Sequence, residues 1–168
     1  MARGPSAYFL FWEHFDDRTR TWRNGGPRHE LIEEMTRAQR HRVEHELLHR
    51  LLRAPTTDGW VLDALGMLRS EEAVPMLREL VRGPVAEDAA IALWRISHWR
   101  GAVRILKRVM AAQRDRDDRR VPSLVRRIDA ARYLAEIGSP SATAALVEVA
   151  ADQTAPLRLQ KTVERLLA

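Results

Sequence analysis

The chain has 168 residues and a formal net charge of only +5, from 28 Lys and Arg against 23 Asp and Glu, so it is long enough for one sizeable core and carries no extreme charge. It contains no cysteine, which excludes disulfides, thiolate metal sites and cysteine nucleophiles. Of the basic residues only Lys107 and Lys161 are lysine, so the isoelectric point of about 10.5 reflects arginine's high pKa rather than a basic tail.

The N-terminal third is read as a helical cap over residues 1–56. Six of the ten aromatics fall there: Tyr8, Phe9, Phe11, Trp12, Phe15 and Trp22. Ser6 is placed to cap a helix in which Tyr8, Trp12, Phe15 and Trp22 recur at helical spacing. The apolar run Tyr8–Trp12 is followed at once by Glu13, His14, Asp16 and Asp17. That is too short for a secretory signal, and no stretch approaches the roughly 20 apolar residues of a membrane helix. A cytoplasmic location is expected.

A longer helix follows Pro27, with Leu31, Met35, Val43, Leu47, Leu48 and Leu51 as its apolar positions. Their phase drifts between the halves, which predicts a bend or break near Thr36 to Arg40. These helices are expected to close the open end of the repeats that follow; the alternative is that their aromatics dock a partner. His41-Arg-Val-Glu-His45 spells H-x-x-E-H, and His49 extends the histidines to i, i+4 and i+8. Two imidazoles four residues apart share a helix face, as a zinc site needs. No third ligand is apparent, so no catalytic metal is expected.

Residues 57–168 read as one helical hairpin written about three times. Setting Ala73 on Ala142 aligns Leu65 with Leu134, Leu68 with Ile137, Ser70 with Ser139, Leu77 with Leu146 and Leu80 with Val149. A copy between them, Asp88 to Met110, has Ala102, Leu106 and Val109 in the same places. A fixed period of short helix pairs means that each unit buries its apolar stripe only by stacking on its neighbours. Pro75 falls in the first turn of a second helix, where a missing N–H costs nothing. The charged insert Gln113–Arg120, closed by Val121-Pro122, separates the last two copies and has nothing to bury. A final helix is expected from Leu157 to Leu167.

The third copy has Ala130-Ala131-x-x-Leu134-x-x-Ile137-Gly138 and then Ala142-x-x-x-Leu146-x-x-Val149. This pattern resembles the HEAT-like repeats of the bacterial type first noted in phycobilisome lyases. The first copy departs at Arg69, where that family prefers Gly, and the second at its His98-Trp99-Arg100-Gly101 turn. The resemblance covers roughly residues 57 to 168. It implies an all-α fold, a short α-solenoid, whose second helices line a concave surface. It specifies no activity, because such repeats serve as scaffolds, enzyme accessories and inhibitors alike.

From Ala89 to Arg114 no acidic residue occurs, yet Arg95, Arg100, Arg104, Lys107, Arg108 and Arg114 all fall inside. On a helix starting near Arg100, positions 100, 104 and 107/108 share one face, opposite Val103, Leu106, Val109 and Met110. With Arg78 and Arg82 one repeat earlier, and Trp99 as an aromatic neighbour, these are the candidate partner-binding residues. The other reading of them is a solvated helix face.

No glycine-rich phosphate loop, G-x-S-x-G or paired-carboxylate signature is present. The expectation is therefore not an enzyme, with no cofactor. It is a non-catalytic protein-binding module, monomeric, whose partner offers an acidic surface: an immunity protein neutralising a toxin, or an adaptor. Two alternatives stay open, a nucleic-acid-binding module using the arginine stripe, and an enzyme accessory or lyase-like chaperone for a prosthetic group.

Overall fold

The structure, a computed structural model, describes residues 6–16, 30–54, 59–112 and 123–168. Trp22, the start of the helix after Pro27 and the charged insert with Val121 and Pro122 lie outside the described residues. Everything described is helix, turn or connection, with no strand among the described residues. In chain order the helices are α1 (Ala7–Asp16), α2 (Glu30–Glu34), α3 (Arg37–Arg53), α4 (Gly59–Met67), a 3-10 turn (Glu71–Ala73), α5 (Val74–Leu80), α6 (Ala86–Ser97), α7 (Gly101–Ala111), α8 (Leu124–Ile137), α9 (Pro140–Ala151) and α10 (Leu157–Leu167).

The N-terminal helices start and stop where local chemistry directs. Ser6 Oγ accepts from the Phe9 N–H at the head of α1. The break expected near Thr36 falls at Met35–Thr36, between α2 and α3. There Thr36 Oγ1 accepts from the Gln39 N–H while Gln39 Oε1 accepts from the Thr36 N–H, a reciprocal capping box. Met35 is buried, so the chain turns its apolar face inward while α3 restarts in a new phase.

The aromatics of α1 are mostly committed to this cap. Phe11 and Phe15 are buried and stacked, 5.3 Å between ring centroids. Tyr8 Oη donates to Glu46 at 2.8 Å, and Arg50 lies 4.5 Å over the Trp12 ring while pairing with Asp16. Most of the aromatic face is therefore the α1–α3 seam; Phe9 alone among the described aromatics of α1 stands well out, at 62% exposure. His41 and His45 are exposed on α3, and His41 Nδ1 lies 3.9 Å from Glu44 Oε2. Among the described residues no group of three or more His, Asp or Glu is arranged to hold a metal ion.

The three hairpins are α4/α5, α6/α7 and α8/α9, at the register of the repeated sequence. Ala73, Ala102 and Ala142 are all fully buried, as are Leu77 and Leu106, with Leu146 close behind. The hairpin turns obey the same register. Arg69, His98 and Gly138, which align, are the three described residues with positive φ, at 54°, 51° and 60°. Each sits just past a first helix in the left-handed conformation that ends it. At Arg69 both bonds of a Schellman closure form, Ser70 N–H to Leu65 C=O and Arg69 N–H to Gly66 C=O.

First helices stack in one row, α4 on α6 on α8, and α10 packs against both α8 and α9. Second helices lie on the other side, where α5 and α7 both pack on α6 and α9 touches α7. The α4–α6 approach is close enough that a Cβ on Gly66 would meet Ala92 Cα at 2.8 Å. At the N-terminal side α3 packs on α4, and one apolar cluster runs without interruption from Phe11 to Val163. This is a short, all-α solenoid of HEAT-like hairpins. No helix among the described residues is long and apolar enough to cross a membrane.

Candidate functional site: the charged faces of the helix rows

The exposed side of α7 is built by a simple division. Ala102, Ile105, Leu106, Val109 and Met110 turn into the core, which leaves Arg100, Arg104, Lys107 and Arg108 outside. Arg78 and Arg82 are likewise exposed, on α5 and the turn after it, one repeat earlier. Among the described residues none of Arg78, Arg82, Arg100, Arg104 or Arg108 makes an ion pair.

Two details differ from the sequence reading. The stripe is not free of neighbouring carboxylates: Lys107 Nζ pairs with Glu148 of α9 at 2.7 Å. Sequence reasoning took α7 alone and so missed a partner 41 residues away. Trp99 is half-buried rather than presented. Its indole lies over Gly101, leaving no room there for a Cβ, and it packs against the core. The same turn carries exposed His98, whose ring meets Trp94 edge to face at 5.5 Å.

A second charged assembly, not anticipated from the sequence, ties the first-helix row together. Arg95 on α6 donates to Asp63 of α4 through Nη1 at 2.5 Å and to Glu136 of α8 through Nε and Nη2 at 2.7 and 2.8 Å. Arg95 shares the acid-free run of sequence with the basic stripe but is not part of it, and it points along the first-helix row. Two turns earlier on α6, buried Glu87 receives both Nε and Nη2 of Arg126 on α8. Beside it, Asp88 accepts from Tyr133 Oη at 3.1 Å and packs its carboxylate over Gly59 at the head of α4. Burial, and next the Glu87 charge, push the Asp88 carboxyl up to about 7. Burial raises Asp129 in the same direction. Overlaying the repeats could have exposed this ladder, since Asp63, Arg95 and Glu136 lie within a turn of equivalent positions and alternate in sign.

Arg127 closes the interval left by the insert. It is buried, and its Nε donates to the Met110 carbonyl at 2.8 Å, so α8 caps the end of α7. Burial lowers its pKa, but a guanidinium at a helix C-terminus stays charged and completes carbonyls that would otherwise lack donors.

The row of second helices thus offers guanidiniums with no ion pair among the described residues, and the row of first helices offers charges already neutralised by one another. The former can recognise an anionic surface; the latter holds the stack together. Residues 59–83 and 126–152 match the model of the PBS lyase HEAT-like repeat family. No curated protein and no solved structure matches the chain.

Proposed function

We propose that this chain, whose first and third hairpins match the model of the PBS lyase HEAT-like repeat, is a non-catalytic protein-binding module acting through the exposed side of its second helices. HEAT-like repeats are protein-interaction modules, and the single observation that carries the choice of surface is the line Arg100, Arg104 and Arg108. These cations are exposed and have no ion pair among the described residues. Like charges on a helix repel by a few tenths of a kcal/mol per pair, and an anionic partner relieves that. Arg78 and Arg82 extend the cationic surface, and Trp99 braces the turn from which Arg100 projects. The partner is a protein with an acidic surface. In the finer form of the reading the chain is an inhibitor of the immunity type, covering a toxin inside the cell, or an adaptor.

The test is capture of partners from the source cell, followed by binding of the purified captured protein to the wild-type chain and to the Arg104→Glu/Arg108→Glu variant. Binding weakened by about tenfold or more, with helix content unchanged, supports the reading. Undiminished binding overturns it. Salt separates the nucleic-acid reading: affinity that falls steeply with salt and ignores nucleotide sequence belongs to a phosphate track.

A further inference from the structure

We propose that the surface spanning α7 and α9 takes an acidic, amphipathic helix of the partner, with carboxylates over Arg100, Arg104 and Arg108 and an apolar ridge against Val147. This rests on the protein-binding reading and deepens it by giving the occupant a shape and a chemistry.

The two helices form one surface. They are in contact, and the Lys107–Glu148 pair pins their register. The hairpin alignment sets Arg104 level with Ala144 and Lys107 level with Val147. Yet the two sides differ. The α7 side bears four cations. The α9 side exposes Thr143, Ala144, Val147 and Ala151, and Glu148 is the one charged residue of that helix. Val147 is 51% exposed, which is unusual for a valine in the middle of a packed hairpin. Glu148 is taken by Lys107 at the seam, so the remaining positive charge lies along the outer edge of α7.

Arg100, Arg104 and Arg108 are four residues apart, so they step about 6 Å each along the axis. Carboxylates at the same four-residue spacing on a helix laid alongside α7 meet all three at once. A helix bearing them also turns its adjacent face toward α9, where small side chains allow the 8–10 Å approach of packed helices. Exposed valine and alanine beside a row of guanidiniums is therefore the complement of an acidic amphipathic helix. A nucleic acid fits less well. Its phosphates would meet the Glu148 carboxylate and an apolar shelf, and Trp99 is folded over Gly101 rather than free to stack.

Four fluorescent probes test this by anisotropy. The first is a synthetic helical peptide with Glu at every fourth position beside a Leu ridge. The second replaces that ridge with Ser, the third replaces Glu with Lys, and the fourth is oligo-dT. Each is titrated into the wild-type chain, Arg104→Glu/Arg108→Glu and Val147→Asp. All the substituted side chains are exposed, and circular dichroism with a melting curve verifies that each variant is folded.

The Glu/Leu peptide should bind the wild type and weaken about tenfold or more with either variant. The Ser-ridge peptide should weaken comparably, and the Lys peptide should not bind. If Val147→Asp and the Ser ridge change nothing while the arginine reversal does, charge alone is recognised: the helix proposal falls and the protein-binding reading stands. If the Glu/Leu peptide does not bind, the helix proposal falls, and the captured partner alone judges the wider reading. If oligo-dT binds as tightly as the peptide and follows the arginine reversal, both fall.

Discussion

At the scale of single residues, the three left-handed turns give the sharpest comparison. Gly138 adopts its φ of 60° freely, whereas Arg69 and His98 hold nearly the same conformation with a Cβ in the way. Arg69→Gly should therefore stabilise the chain by about 1 kcal/mol, less the entropy that glycine adds to the unfolded state. A urea midpoint that rises with an unchanged slope would show it. His98→Gly should gain less, because it also gives up the edge-to-face contact with Trp94. Asp88 supplies the pH prediction. Its folded carboxyl is raised to about 7, against about 3.9 unfolded, so the folded state holds the proton more tightly. The stability this contributes is fully present below the unfolded value and is lost as pH rises through about 7. The melting temperature should fall between about pH 4 and about pH 7 and level off above that. Asp88→Asn, which keeps an acceptor for Tyr133 Oη, should flatten that change; an equally steep fall in the variant would remove Asp88 as its cause. The turn register was legible in the sequence because Gly138 marks it and Arg69 and His98 align with it. Asp88 was not legible, because its environment comes from Gly59 and Tyr133, which are far away in the chain.

At the scale of elements, the cap at Ser6 was readable from its residue type and the break near Thr36 from the drift of apolar phase. The structure adds three side-chain caps, Thr36 with Gln39, Ser123 for Arg126 and Ser139 for Ala142. Thr36→Ala should cost about 1 kcal/mol by removing one half of the capping box. The circular dichroism amplitude should barely change, because α3 is held by burial of Val43, Leu47 and Leu51. What the sequence hid is how tightly helices approach one another. Gly66→Ala places a methyl 2.8 Å from the backbone of α6, where no flexible side chain can yield, so α4 and α6 must separate. About 1 to 3 kcal/mol of stability should be lost, although alanine is the better helix former. The α7 stripe was legible as a face but not as a charge balance. Periodicity assigns a residue to the outside of its own helix, whereas the Lys107–Glu148 pair belongs to the stacking of two.

At the scale of the whole molecule, the continuous apolar cluster from Phe11 to Val163 makes the cap and the hairpins mutually dependent. Leu134 is fully buried in the third hairpin, so Leu134→Asp places a charge without a partner in the stack and should unfold the chain. Loss of the helical signal at all wavelengths would verify that; a folded variant that lost only part of its helix would show the hairpins to be separable. The all-α class and the hairpin count were readable because apolar positions, turn residues and short spacers repeat together. The ion-pair ladder of the first-helix row was not. In an arginine-rich chain, Asp63, Arg95, Glu87 and Arg126 look like ordinary surface charges until the helices are set side by side.

That ladder has a mechanical consequence. A stack of hairpins bends by lengthening one row of helices relative to the other. The first-helix row is cross-tied at Asp63–Arg95–Glu136 and Glu87–Arg126 and pressed close at Gly66. On the second-helix side, Lys107–Glu148 is the described ion pair that links neighbouring helices. The first row therefore behaves as the stiff edge of a fan whose spread is set on the other side. A partner laid across the second helices would change the spacing of α7 and α9 without stretching the row behind them. Because the chain has no native cysteine, paired spin labels can be placed without interference. Labels on α5 and α9 should report that fanning, while labels on exposed positions of α4 and α8 should hold their distance.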